Sequence, residues 1–137
     1  MHQPDNWGEV ARFGMFIVGA EAVPEAEWWA MAPPGVSVHA ARVTAPTPWA
    51  QWNADRSAVV PSGDLARGAK QFASMRLDAV VTGHTSSSVI GGPGWDDAVC
   101  SWLAGELRPG THATTNGLDC LRAVSYTHLT LPTTGHE

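Results

Sequence analysis

Residues 77–92 read LDAVVTGHTSSSVIGG, and the fold follows from how this stretch changes character midway. It opens on the short apolar run Ala79-Val80-Val81, the pattern of a strand buried on both faces of a parallel sheet. It then turns to Gly83-His84-Thr85-Ser86-Ser87-Ser88 and closes on Gly91-Gly92-Pro93-Gly94. A buried strand that ends in small hydroxyl residues and glycine marks the place where an α/β sheet binds ligands, outside the carboxyl ends of its strands.

Working outward, the same alternation recurs. Residues 12–18, RFGMFIV, predict a buried strand, and the loop Gly19-Ala20-Glu21-Ala22-Val23 follows its carboxyl end. Pro24-Glu25-Ala26-Glu27 then opens a helix, with proline and acids in the first turn, where the helix dipole favours them. That helix stops at Pro33-Pro34-Gly35. Residues 36–43, VSVHAARV, predict a second strand, followed by a proline-rich loop over 44–49, and residues 50–60 are read as helical. Ser62 caps a helix that runs to about Met75, with Asp64 in its first turn. Apolar residues at 95, 98, 99, 102, 103 and 107 recur at a helical period. A short strand over 112–114 leads through Thr115-Asn116-Gly117 into a last helix from Leu118. Strands and helices in strict alternation predict a parallel sheet with right-handed crossovers.

Composition narrows the function. The 137 residues amount to one domain, and no apolar run approaches the roughly 18 residues of a membrane span. The first ten residues lack the basic and apolar regions of a secretory signal. Net charge is −5 and the basic residues are scattered, with Lys70 the one lysine, which argues against a nucleic-acid surface. Cys100 and Cys120 sit in apolar helical patterns without metal or redox spacing, so both are expected as buried free thiols in a reducing cytoplasm. The histidines lack ligand spacing, and no metal site is expected. The first loop has one glycine, Gly19, where a dinucleotide fingerprint needs three, and residues 82–94 lack the lysine of a P-loop.

In its order of pieces the chain resembles the aspartate/glutamate racemase superfamily, within it the branch of arylmalonate decarboxylase and maleate cis-trans isomerase. Four places carry the likeness: Gly14-Met-Phe-Ile-Val18 with the loop and Pro24-Glu25-Ala26-Glu27 after it; Arg42-Val43-Thr44; the strand from Asp78 running into Gly83-His84-Thr85-Ser86; and Thr114-Thr115-Asn116-Gly117 with Leu121-Arg122-Ala123. The resemblance implies an α/β fold with a four-stranded, parallel, flavodoxin-like sheet covered by helices on both faces. It also implies that residues 12–123 are the first of two similar halves that enclose the active site between them, residues 1–11 being a lead-in. Residues 124–134, VSYTHLTLPTT, resemble the translation of a transposon-end adapter used in preparing sequencing libraries. Residues 124–137 are therefore expected to be a non-native or disordered tail, and the second half of the enzyme to be missing.

The resemblance further implies cofactor-independent chemistry on a small carboxylate. Removing a proton or carbon dioxide beside a carboxylate leaves an enediolate, and fixed donors aimed at its oxygens stabilise the transition state. Thr85 and Ser86 fall where the family places such a dioxyanion hole, with Ser87 and Ser88 beside them. A hydroxyl-rich turn that satisfies strand-end backbone groups is the other reading of the same residues. His84 stands where the racemases carry their first cysteine. It is either a group that exchanges protons near neutrality or a strand-end histidine bonded to a carbonyl. An imidazole is a poor substitute for a thiolate that must add to a double bond. One-base decarboxylation is therefore favoured over maleate isomerisation and over racemisation of the amino-acid or hydantoin type. Glu21 stands where many members have asparagine, and would repel a dicarboxylate unless protonated or paired, for example with Arg42. Arg42 either grips a substrate carboxylate or is a solvated strand-end residue. Gly19 and Asn116 line the same mouth, and Trp49 either walls an aromatic pocket or joins the core. A non-catalytic flavodoxin-like binding module stands as the alternative from another class. An exposed apolar face, and self-association through it, are expected where the missing half would dock.

Overall fold

The computed structural model describes residues 8–124. Most of the lead-in and the adapter-like tail from residue 125 lie outside the described residues. Six strands and five helices follow one another as β1 (Ala11–Val18), α1 (Val23–Met31), β2 (Val36–Val43), β3 (Ala50–Trp52), β4 (Val59–Pro61), α2 (Gly63–Ala73), β5 (Ala79–Thr82), α3 (Thr85–Gly91), α4 (Trp95–Glu106), β6 (His112–Thr115) and α5 (Asn116–Val124). Four of the strands form one sheet in the order β2-β1-β5-β6, and every neighbouring pair is parallel. The architecture is α/β and consistent with a flavodoxin-like fold.

The period-2 geometry of β1 decides what lies on each face. Met15 and Ile17 point one way, into a small cluster with Val38 and Val81 against which Trp28 of α1 packs. Phe16 points the other way, into the main core with Leu65, Ala69 and Phe72 of α2 and Val99 and Leu103 of α4. Burying each of the larger of these side chains contributes about 1.5–3 kcal/mol. Gly68 of α2 lets that helix sit close, because a Cβ there would come within 2.5 Å of the Phe16 ring. The caps follow the sequence: the Ser62 hydroxyl accepts from the Leu65 N–H at 3.3 Å, and Asp64 sits in the first turn.

At the far edge of the sheet the side chains of Thr114 and Thr115 alternate between faces. Thr114 donates to Asp119 of α5 at 2.8 Å, while Thr115 donates to Asp96 of α4 at 2.6 Å. Helices α1 and α5 therefore cover one face and α2 and α4 the other. The first face is thinly covered. No residue of α1 is fully buried, and cavities of about 230 and 330 Å³ lie beneath it, both lined by Phe13 and Trp28.

Two stretches depart from expectation. Residues 50–60 form no helix; β3 and β4 pair antiparallel as a hairpin, Ala50 opposite Pro61 and Trp52 opposite Val59. The turn is held by its own polar side chains, since Asn53 Oδ1 accepts from Ala58 N–H and Asp55 accepts from the Ser57 hydroxyl. The hydroxyl run after β5 is not an open turn either: it winds into α3, whose buried side, Ser87 and Gly91, rests on the hairpin and α4. Trp52 Nε1 donates to the Gly91 carbonyl at 2.8 Å and Trp95 Nε1 to that of Ala50 at 2.9 Å, tying the hairpin to both helices. The cysteines are also not both buried. Cys100 is half-buried and Cys120 exposed, and both are free thiols.

Candidate functional site

The chain leaves β1 toward β2 on one side and later returns to β5 on the other, so the strand order reverses between β1 and β5. Loops diverge at such a switch point and leave a crevice at the carboxyl ends of the strands. A cleft of about 270 Å³ lies there, lined among others by Gly19 and Ala20 after β1, Thr44 after β2, Trp49, and His84 after β5. Gly83 lets β5 end this close to β1: its N–H donates to the Phe16 carbonyl at 2.9 Å, and a Cβ at 83 would stand 2.9 Å from that same oxygen.

His84 is the most constrained polar group of the cleft. Its ring stacks on Trp49 with centroids 4.3 Å apart and planes 10° from parallel. Its Nδ1 lies 2.7 Å from Ser87 Oγ, and among the described residues its ring makes no carbonyl bond of the kind expected for a strand-end histidine. Ser87 is fully buried and also accepts the Trp49 N–H at 2.9 Å. Ser87 is thus a support for His84 rather than an open hydroxyl of the mouth. Trp49 is core, 1% exposed, and reaches the cleft through this stack. Burial lowers the His84 pKa, with the nearby Glu21 carboxylate opposing.

Thr85 and Ser86 stand beside the cleft on the exposed first turn of α3, outside its lining. The first N–H groups of a helix have no partner within it. Neither these amides nor the two hydroxyls bond to anything among the described residues. Ser88 turns the other way and donates to Asp96 at 2.5 Å, in the network that also holds Thr115. Asn116 begins α5 beside Gly83, its amide nitrogen 3.6 Å from where a Cβ of residue 83 would lie, so it borders the same mouth.

The remaining candidates are engaged elsewhere. Arg42 pairs with Glu25 at 2.8 Å, not with the Glu21 side chain, and donates to the Glu21 carbonyl at 2.5 Å and that of Gly19 at 3.3 Å. It therefore pins the loop after β1. The Gly19 N–H donates to the Val43 carbonyl, so Gly19 shapes the wall without offering a donor. The Thr44 N–H and hydroxyl both donate to Asp64, and with Arg67 they hold that carboxyl down to about 2. Sequence reasoning missed the Asp64–Thr44 clamp and the Trp49–His84 stack, since both join residues far apart in the chain. Among the described residues no three His, Cys, Asp or Glu side chains converge as metal ligands, and no helix is long and apolar enough to cross a membrane.

Burial also lowers the pKa of His39, with Arg12 adding to the effect. A histidine whose folded pKa falls below its ordinary 6.5 resists protonation in the fold but not in the unfolded chain. Stability is then full above about pH 6.5 and falls as pH drops toward the folded values. Asp64 adds its own loss only below about pH 4. Urea midpoints should therefore fall between pH 7 and pH 5, and His39→Gln with His84→Gln should flatten the profile. A wild-type midpoint unchanged over that range would contradict the burial of both rings.

Comparison with protein-family models, with curated proteins and with solved structures finds no match to this chain.

Proposed function

We propose that this chain is the first half of a cofactor-independent enzyme that decarboxylates or isomerises a small carboxylic or dicarboxylic acid through an enediolate. One observation carries the reading. Thr85 and Ser86 present adjacent hydroxyls and N–H groups without a partner among the described residues, on an exposed turn at the carboxyl edge of a parallel sheet, beside a cleft at its switch point. Donors so placed suit the two oxygens of an enediolate. Decarboxylation is favoured over two-base racemisation because the strand-end position carries His84 rather than a thiol.

The exposed side of α3 supports the second-half part of the reading. Val89 and Ile90 are 74% and 62% exposed and continue the face that carries Thr85 and Ser86. Apolar side chains next to a polar site fit a surface closed by a docking partner. We place the enzyme in a reducing cytoplasm, in keeping with its free thiols. The proposal gives it no membrane or nucleic-acid partner.

The test is the true reading frame beyond Ala123 at the genomic locus, expressed whole and assayed for carbon dioxide release from phenylmalonate. A second sheet with a strand ending in Cys-Gly or Cys-Thr, and turnover, are expected. A downstream frame with no such strand would refute the enzyme and leave the binding-module reading, for which the cleft at the switch point is the favourable observation. The 137-residue chain alone should show no turnover and should self-associate in light scattering. Val89→Ser with Ile90→Ser should shift it toward monomer, whereas a monomeric wild type would count against the docking face.

A further inference from the structure

The bonding around Ser87 sets the protonation state of His84. Ser87 Oγ is fully buried and receives the Trp49 N–H, so its own proton needs an acceptor. A buried hydroxyl proton left unmet costs free energy. Among the described residues the one acceptor in reach is His84 Nδ1, at 2.7 Å. The Ser87 hydroxyl therefore donates to Nδ1, and the neutral ring carries its proton on Nε2. Protonating the ring would turn Nδ1–H toward Ser87 and leave the serine proton without a partner. Burial acts separately in the same direction, disfavouring the charged ring.

Meanwhile the Trp49 stack fixes the plane of the ring. Nε2 has no partner among the described residues and is not one of their sealed, unpaired polar atoms, a class that contains Thr82 Oγ1 alone. It is thus open, on a ring that lines the cleft. Two residues of that wall have already spent donors: the Gly19 N–H goes to the Val43 carbonyl, and the Thr44 N–H and hydroxyl go to Asp64. The charged groups facing His84 are few. Glu21 acts on it from the loop after β1, and Arg42 is held by Glu25 and loop carbonyls.

We infer that Ser87 and Trp49 lock His84 as a neutral, Nε2-protonated imidazole whose N–H is a fixed donor to an anionic carboxylate oxygen in the cleft, not a proton-transfer group. The ligand part of this inference rests on the carboxylate reading above. Ser87 is then a positioning residue. A neutral donor costs no proton uptake when the ligand enters, and preorganisation of this kind is what makes a hydrogen-bond donor effective toward developing negative charge.

Imidazole nitrogen shifts of the ¹⁵N-histidine-labelled 137-residue chain test it directly. At pH 7 His84 should be a single tautomer, Nδ1 bare and Nε2 protonated, and phenylmalonate should move the Nε2–H resonance. Ser87→Ala should lose the single tautomer and raise the titration midpoint toward that of a free histidine. A wild-type Nδ1–H tautomer, or an imidazolium at pH 7, overturns the inference whatever the ligand does, and needs no variant to fold. A correct tautomer that phenylmalonate leaves unmoved, while the Thr85 and Ser86 amides shift, overturns the donor role and spares the carboxylate reading. If none of the three responds when phenylmalonate is added to the complete enzyme, both fall.

Discussion

Trp95→Ala should destabilise the fold by about 3–5 kcal/mol, the range for deleting a large buried aromatic. Trp95 is fully buried, at the first turn of α4. Three separate contacts converge on its indole. The ring joins the main core with Phe72, Val99 and Leu103. Its face fills the space that any side chain at Gly91 would need, so α3 is seated directly on it. Its Nε1 donates to the Ala50 carbonyl, which truncation would leave buried and unpaired. The loss should therefore spread to the site, because α3 carries Thr85 and Ser86 and the hairpin follows Trp49. Urea unfolding measures the cost, and the Trp49 and His84 resonances report the disturbance. Trp29→Ala is the contrast: that side chain is 39% exposed on α1, and its removal should cost less than about 0.5 kcal/mol. A Trp95→Ala cost no greater than that of Trp29→Ala would mean α4 is not the anchor of α3.

The parts of this arrangement readable from sequence are those written in short periods. The apolar runs of β1, β2 and β5 and the helical spacing of α2 and α4 are local patterns, and with strict alternation they imply the parallel sheet. The hairpin was hidden because β3 and β4 are three residues each, too short for a period to emerge. Its one local signal was turn chemistry, Asn53 and Asp55 each bonding backbone a few residues on. Helix α3 was hidden for the opposite reason. Consecutive hydroxyl residues disfavour helix locally by bonding nearby backbone. Here Ser87 instead bonds Trp49 and His84, and tertiary contacts make the helix. At the site, the exposed Thr85 and Ser86 were legible as a strand-end motif. The partners of Arg42, Thr44 and His84 were not, since Glu25, Asp64 and Trp49 lie 17, 20 and 35 residues away along the chain (42 − 25, 64 − 44 and 84 − 49).

In the complete enzyme that we propose, Thr85→Ala and Ser86→Ala should each lower the rate by roughly 10²-fold, the usual effect of removing one donor from an oxyanion hole. Both side chains are exposed and bond to nothing among the described residues, so neither substitution should disturb stability, and a lost rate would report chemistry. Each residue offers two donors, a hydroxyl and an amide N–H, and alanine removes the first alone. Proline is tolerated in the first turn of a helix because the N–H there has no partner within it. Ser86→Pro therefore deletes both donors at 86 while leaving α3 able to form, and should lose about tenfold or more beyond Ser86→Ala if the amide also binds the enediolate. Equal rates for the alanine and proline variants would assign the work to the hydroxyl. Wild-type rates in all three would remove this turn from the active site, and with it the physical basis for reading the sheet edge as a carboxylate-activating surface.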